Sequence, residues 1–257
     1  VVVDGNGAVI LNPAVSQEFT GTSTPSGWVQ ESWFGALTPQ YLGGIAVFNG
    51  SHIYSTATYA PGNSIEFYAR FTDGLFQNIG YSADGAFNAP WVVIGRGTGA
   101  AAGEVYARID IGTTISLGTG LTGQYHRYKI KWNPTNFEFY VDGTLVTTIT
   151  KTMASAVLQL SDYNVDGLDL SVDWIRVSPY AASGTYTSKV FDAGGFTNWS
   201  QVNWTAIQPA GTSLDIQVRT GNTSIPDGTW SAFSSVSNGG AVGNFTRYLQ
   251  YRANINT

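Results

Sequence analysis

The stretch His126-Arg127-Tyr128-Lys129-Ile130-Lys131-Trp132, followed after a turn by Phe137-Glu138-Phe139-Tyr140-Val141-Asp142-Gly143, decides the fold. Successive side chains of an extended strand point to opposite faces. Tyr128, Ile130 and Trp132 therefore share one face, and Arg127, Lys129 and Lys131 the other. Phe137, Phe139 and Val141 alternate in the same way with Glu138 and Tyr140. Asn133-Pro134-Thr135-Asn136 turns the chain between the two strands, and Asp142-Gly143 is a strong hairpin signal. One apolar face and one wet face is what an antiparallel sheet packed on a core requires.

The same period runs outward from this pair. In Ile65-Glu66-Phe67-Tyr68-Ala69-Arg70-Phe71 the apolar set points one way and Glu66, Tyr68 and Arg70 the other. Over residues 104–111, Val105, Ala107, Ile109 and Ile111 are expected inward, with Tyr106 and Arg108 outward. The best helical stretch, Thr152 to Leu160, is short and rich in β-branched residues, so the chain reads as all-β, built from stacked antiparallel sheets. Its 31 glycines suit many short strands joined by tight turns.

Composition narrows the function. Charged residues make up only 11% of the 257, against 43% hydrophobic, and 35 aromatic residues argue for a packed core rather than disorder. Net charge is −5, and no basic stripe larger than Arg127, Lys129 and Lys131 appears, which speaks against nucleic acid as a partner. No window approaches the roughly 18 apolar residues of a membrane-spanning helix, so membrane insertion is not expected. The absence of cysteine excludes disulfides, thiol catalysis and cysteine-ligated metals. Five Asn-x-Ser/Thr sequons occur, at Asn49, Asn198, Asn203, Asn222 and Asn244.

A boundary is expected near Ser178-Pro179-Tyr180-Ala181-Ala182-Ser183-Gly184, dividing the chain into residues 1–180 and 181–257. The second part restarts with strands near 185–191, 200–207, 214–220, 229–235 and 247–255, the spacing of a small sandwich.

Three segments of the first part resemble the concanavalin-A-like jelly roll of laminin-G-type domains, legume lectins and laminarinase-type glycoside hydrolases. They are Gln17-Glu18-Phe19-Thr20-Gly21, the pair of strands quoted above, and Val172-Asp173-Trp174-Ile175-Arg176-Val177. The second part is similar to accessory sandwiches of multidomain bacterial surface proteins. The resemblance implies a module of a longer, multidomain extracellular or cell-surface chain. Laminarinase-type enzymes carry E-x-D-x-x-E on one strand, which sets two carboxylates at the separation that glycoside hydrolysis needs. No such motif occurs here, and none of Glu18, Glu31, Glu66, Glu104 and Glu138 stands out. Alginate-lyase-like motifs and a nucleophile elbow are also missing, and His126 reads as a satisfied, partly buried histidine. The expectation is therefore a non-catalytic carbohydrate-binding or adhesive module. A polysaccharide-active hydrolase or lyase, and a structural spacer, are the alternatives.

For such a module the partner would be a polysaccharide or cell-surface glycan. A ring stacked on a pyranose, flanked by planar hydrogen-bonding groups, would hold it. Gln77, Phe87, Trp91, Arg96, Tyr106 and Arg108 are the candidates, with core cover as the alternative for Trp91. Trp28, Trp33, Phe34 and Tyr41 read as core. For structural Ca²⁺ two arrangements compete. Asp162-Tyr163-Asn164-Val165-Asp166-Gly167 places oxygen ligands at alternate positions before a glycine, with Asp173 at the twelfth position. The family resemblance implies instead Glu18, Gly44 and Asp173.

Overall fold

The computed structural model describes residues 1–5 and 7–257. It contains no α-helix among them, and the chain divides into two compact units, Pro13–Pro179 and Val1–Asn12 with Tyr180–Thr257. The larger unit carries the alternating strands, and the first twelve residues lie outside it. These belong with the second unit: the Asn12 carbonyl accepts from Ala181 N–H, and Val1 packs on Gly184.

The larger unit stacks two antiparallel sheets. One has the strand order Thr144–Thr150, Asn136–Val141, His126–Trp132, Ser64–Arg70, Leu170–Tyr180, Ile45–Phe48, Gln40–Leu42, with Pro13–Gln17 also pairing to Leu170–Tyr180. The other runs Thr113–Ser116, Tyr106–Ile109, Trp91–Gly95, Gln77–Ser82, Ala156–Asp162, Ser51–Tyr59, Trp28–Ser32. The strand expected to pair across Asp142-Gly143 is there, with Tyr140 opposite Leu145 and Val141 opposite Thr144. Asp142 and Gly143 both take left-handed backbone (φ 47° and 85°), the conformation a two-residue turn demands.

The period-2 reading holds at the core. Ile65, Phe67, Ala69 and Phe71, together with Tyr128, Ile130, Trp132, Phe137 and Phe139, have no exposed surface. The facing sheet contributes Ile53, Ile79, Tyr81, Val92, Ile94, Leu158 and Leu160. Fully burying each such side chain stabilises the fold by about 1.5–3 kcal/mol relative to leaving it in water. Ile111 departs from the pattern. It is almost fully exposed, because the strand ends at Ile109 and Asp110 turns the chain with φ 48°. The weak helical stretch is instead partly the strand Ala156–Asp162, whose Ala156, Leu158 and Leu160 fill the core.

The smaller unit centres on a five-stranded antiparallel sheet, Ser183–Thr187, Phe245–Asn256, Ser213–Gly221 and Ser234–Val236, with Phe191–Asn198 also paired to Phe245–Asn256. Two-stranded ribbons, Val2–Val3 with Val9–Ile10 and Gln201–Val202 with Gly240–Ala241, accompany it. Residues 229–233, expected in a strand, are not one. Trp230 folds back there to pack on Gly221, and its indole donates to Thr223 Oγ1 at 2.8 Å.

Candidate active site

The outer face of the seven-stranded sheet is built row by row from its register. One row crosses it as Tyr106, Gly95, Asn78, Ser161, His52, Glu31, and the next as Arg108, Val93, Gly80, Gln159, Tyr54, Val29. The core residues Ile79, Tyr81, Ile94, Ala107, Leu160 and Ile53 alternate with these along the same strands, so the rows lie on the side away from the core. Five strand spacings separate Arg108 from Glu31, about 24 Å across the face.

A cleft of about 510 Å³ opens over the part nearest Arg108. Phe87 and Trp91 form one wall, ring edge to face at 6.1 Å. Trp33, Tyr163 and Phe76 form the other, with Tyr163 5.4 Å from Trp33 and 5.9 Å from Phe76. Asn78, Ser161, Tyr106 and Arg108 reach in between. Phe76 and Phe87 both sit at positive φ (63° and 59°), a region that costs a non-glycine residue about 1–3 kcal/mol. In the turn that carries Phe87, Asp84 Oδ1 accepts from Ala86 N–H and Asn88 N–H.

Beside the cleft lies a second group. Tyr54 donates its hydroxyl to Glu31 Oε1 at 3.1 Å, and His52 Nε2 stands 3.5 Å from Glu31 Oε2. Trp33 covers the His52 ring at 4.1 Å, and its indole donates to Ser161 Oγ at 3.0 Å. His52 is 1% exposed whereas Glu31 is half exposed. Burial lowers the His52 pKa, against the pull of Glu31, so the imidazole is held neutral. Burial and the neighbouring carboxylate raise the Tyr54 pKa, which keeps its proton on the phenol. Glu31 is the only carboxylate in the two rows.

The structure brings together four of the six residues proposed from sequence, Phe87, Trp91, Tyr106 and Arg108, and separates the other two. Gln77 faces the core side of its strand and is fully buried, with its amide spent on Thr72, Asp162 and the Leu168 carbonyl. Arg96 is 1% exposed and donates to the carbonyls of Gly74, Ala101 and Glu104 beside an ion pair with Asp73, so it ties loops together. Glu31, Trp33, His52, Tyr54 and Asn78 were missed. The alternation His52-Ile53-Tyr54 carried the signal, whereas Trp33 and Glu31 are joined to it only by strand pairing.

Of the two cation arrangements, the loop over 162–166 has its carboxylates engaged by hydrogen bonds from the chain itself. Asp162 accepts from Asn164 N–H, Leu170 N–H and the Gln77 amide, and Asp166 from Leu168 N–H. Burial pushes the Asp162 pKa up to about 7. Of the other set, Glu18 and Gly44 lie in the loops after Pro13–Gln17 and before Ile45–Phe48, and Asp173 lies on the strand Leu170–Tyr180. Pro13–Gln17 ends beside Leu170–Tyr180, Val172 of that strand faces Ala46, and a side chain on Gly44 would stand 3.7 Å from the Glu18 carbonyl. The Glu18 carboxylate there accepts from Arg176 at 3.2 Å. Among the described residues no cluster of three or more carboxylate or imidazole groups is arranged to hold a metal.

Among solved structures, this chain is similar to a laminarinase from Flavobacterium sp. UMI-01 (TM-score 0.52, 16% identity, covering 65% of this chain and 100% of that one). It is similar also to an endo-β-1,3-glucanase from Pyrococcus furiosus (TM-score 0.53, 15% identity, 66% and 95%). The fold is the laminarinase-type jelly roll. A third such jelly roll is an immunostimulatory antigen and pseudo β-1,3-glucanase of Mycobacterium tuberculosis (TM-score 0.50, 14% identity, 66% and 100%). Residues 93–194 match the model of Glycosyl hydrolases family 16. No curated protein matches the sequence. The family match overturns the expectation of a non-catalytic binding or adhesive module, which rested on a missing strand motif. It supports the hydrolase alternative instead. No helix long and apolar enough to cross a membrane is present among the described residues.

Proposed function

We propose that this jelly roll is a polysaccharide-active glycoside hydrolase that cleaves within a glucan chain lying across the seven-stranded sheet. The observation that carries this is where the family 16 match falls. Residues 93–194 include Tyr106, Arg108, Ser161 and Tyr163 of the cleft. Two aromatic walls held partly by strained backbone support the same reading, because strain of this kind concentrates at ligand clamps.

The chemistry is assigned to Glu31 and Tyr54. Glycosidases that attack with a tyrosine in place of one carboxylate are a known departure from the two-acid scheme. Here the Tyr54 oxygen attacks the anomeric carbon while its proton passes to Glu31. The glycosidic C–O bond breaks on the opposite face of the sugar, where the leaving oxygen takes a proton from solvent. Water then displaces Tyr54 from that face, losing one proton to solvent, while Glu31 hands its proton back to the phenol. The Tyr54 hydroxyl donates to Glu31, and His52 stands beside that carboxylate under the Trp33 ring. Reducing-sugar release from β-1,3- and mixed-linkage glucans tests this. Release should fall about 10²–10⁴-fold in both Glu31→Gln and Tyr54→Phe with the fold intact. No release by the unaltered protein from any such glucan overturns the reading.

An extracellular setting and a longer multidomain chain belong to the same proposal, since polymeric glucans are met outside the cell. Structural Ca²⁺ held by Glu18, Gly44 and Asp173 is proposed as a stabiliser. Added calcium should raise the melting temperature, and Asp173→Asn should remove the rise; no shift with chelator sinks it.

A further inference from the structure

Resting on the hydrolase reading, we infer that the cleft carries a subsite for an anionic sugar substituent, a uronate carboxylate or a sulfate ester, at Arg108. The guanidinium is a built feature. Nη1 donates to Asn78 Oδ1 at 2.7 Å and to the Arg96 carbonyl at 3.1 Å, and the group lies 5.3 Å over the Trp91 ring. The guanidinium lies against Gly97, where an added Cβ would make it shift. Arg96, Arg127, Arg176 and Arg247 each pair with a carboxylate, whereas Arg108, like Arg70, Arg219 and Arg252, has no ion pair among the described residues; of these four it is the one that lines the cleft. Its partners are neutral oxygens on one nitrogen, and Nη2 and Nε have no hydrogen-bond partner among the described residues.

An unpaired, partly buried cation is costly unless something anionic comes to meet it. Burial lowers the Arg108 pKa, the direction expected of a guanidinium short of water and short of an acid. Arginine presents a flat fork that fits two oxygens of a carboxylate or sulfate at once. The ring of Trp91 beneath it supplies the surface on which the sugar carrying that group would lie. Because Arg108 and Glu31 stand about 24 Å apart across the face, the charged sugar would be bound several residues from the bond that is cut. Charge recognition and cleavage are then separate, and the charged unit need not be the one hydrolysed.

Binding measured by calorimetry on the whole chain tests this, with laminarin, a carboxymethylated laminarin and a sulfated laminarin as probes. The carboxymethylated or sulfated chain should bind about ten- to hundredfold tighter than the neutral one. That preference should shrink with added salt and be lost in Arg108→Met, while Arg108→Lys keeps part of it. Tighter binding of the carboxymethylated chain alone assigns a uronate, and of the sulfated chain alone a sulfate ester. Equal affinity for all three, or a preference unchanged in Arg108→Met, overturns the inference even where laminarin is hydrolysed. Anionic preference without hydrolysis of any glucan would leave this subsite standing and remove the catalytic reading.

Discussion

Phe76 and Phe87 stand at opposite walls of one cleft, and both occupy the left-handed region that a phenylalanine pays to enter. For Phe87 the effects can be weighed. Phe87→Gly releases about 1–3 kcal/mol of strain. It loses an edge-to-face contact with Trp91 of about 0.5–1.5 kcal/mol and adds about 0.5–1 kcal/mol of backbone entropy. These nearly cancel, so the melting temperature should move by less than about 4 °C. Affinity for laminarin should nevertheless fall severalfold, a split that calorimetry and thermal melting together would read. His52 makes a second prediction at this scale. Its pKa is lower folded than unfolded, so the unfolded chain binds the extra proton as pH drops through about 6.5. Stability contributed above that pH is then lost on acidification. His52→Phe, which keeps a ring under Trp33, should flatten the fall in melting temperature between pH 7 and 5 relative to the parent. An equal fall in both proteins would remove His52 from the account.

At the scale of strands, two glycines do different work. Gly143 completes the turn after Asp142 with φ 85°, so Gly143→Val forces a β-branched residue into a left-handed turn and should cost about 1–3 kcal/mol. Gly80 instead lies where Gln77–Ser82 and Trp91–Gly95 approach so closely that a methyl group would meet the Val92 carbonyl. Gly80→Ala should be destabilising by about 1–3 kcal/mol and should disturb the floor of the cleft, lowering hydrolysis as well as the melting temperature. The hairpin was plain in Asp142-Gly143 and in the alternation on either side. Buried strands were equally plain at Ile65–Phe71, where every second residue is apolar. Gln77 misled because in Gln77-Asn78-Ile79-Gly80-Tyr81-Ser82 the polar residue shares its face with Ile79 and Tyr81 and is satisfied at the end of the core. Arg108 could be placed outward from its own strand. The Glu31–His52–Tyr54 group could not, because it exists only once Trp28–Ser32 pairs with Ser51–Tyr59, a register set by contacts distant in sequence.

For the whole molecule, the unit formed by Val1–Asn12 and Tyr180–Thr257 is discontinuous, with the jelly roll of Pro13–Pro179 inserted into it. Removing residues 1–12 takes away the Val1 contact with Gly184 and the Asn12 bond to Ala181. Scanning calorimetry should then show a lowered transition for the smaller unit, with that of the jelly roll kept. A loss confined to the jelly roll would contradict the division. The sequence could mark the crossing near Pro179 by its small residues and proline, but the first twelve residues are too short to announce where they pack. Because the smaller unit draws segments from both sides of the jelly roll, the chain passes between the two units twice. A single proteolytic nick at either crossing leaves two fragments clasped to one another. Only a second cut, at the other crossing, releases Pro13–Pro179 from the rest of the chain.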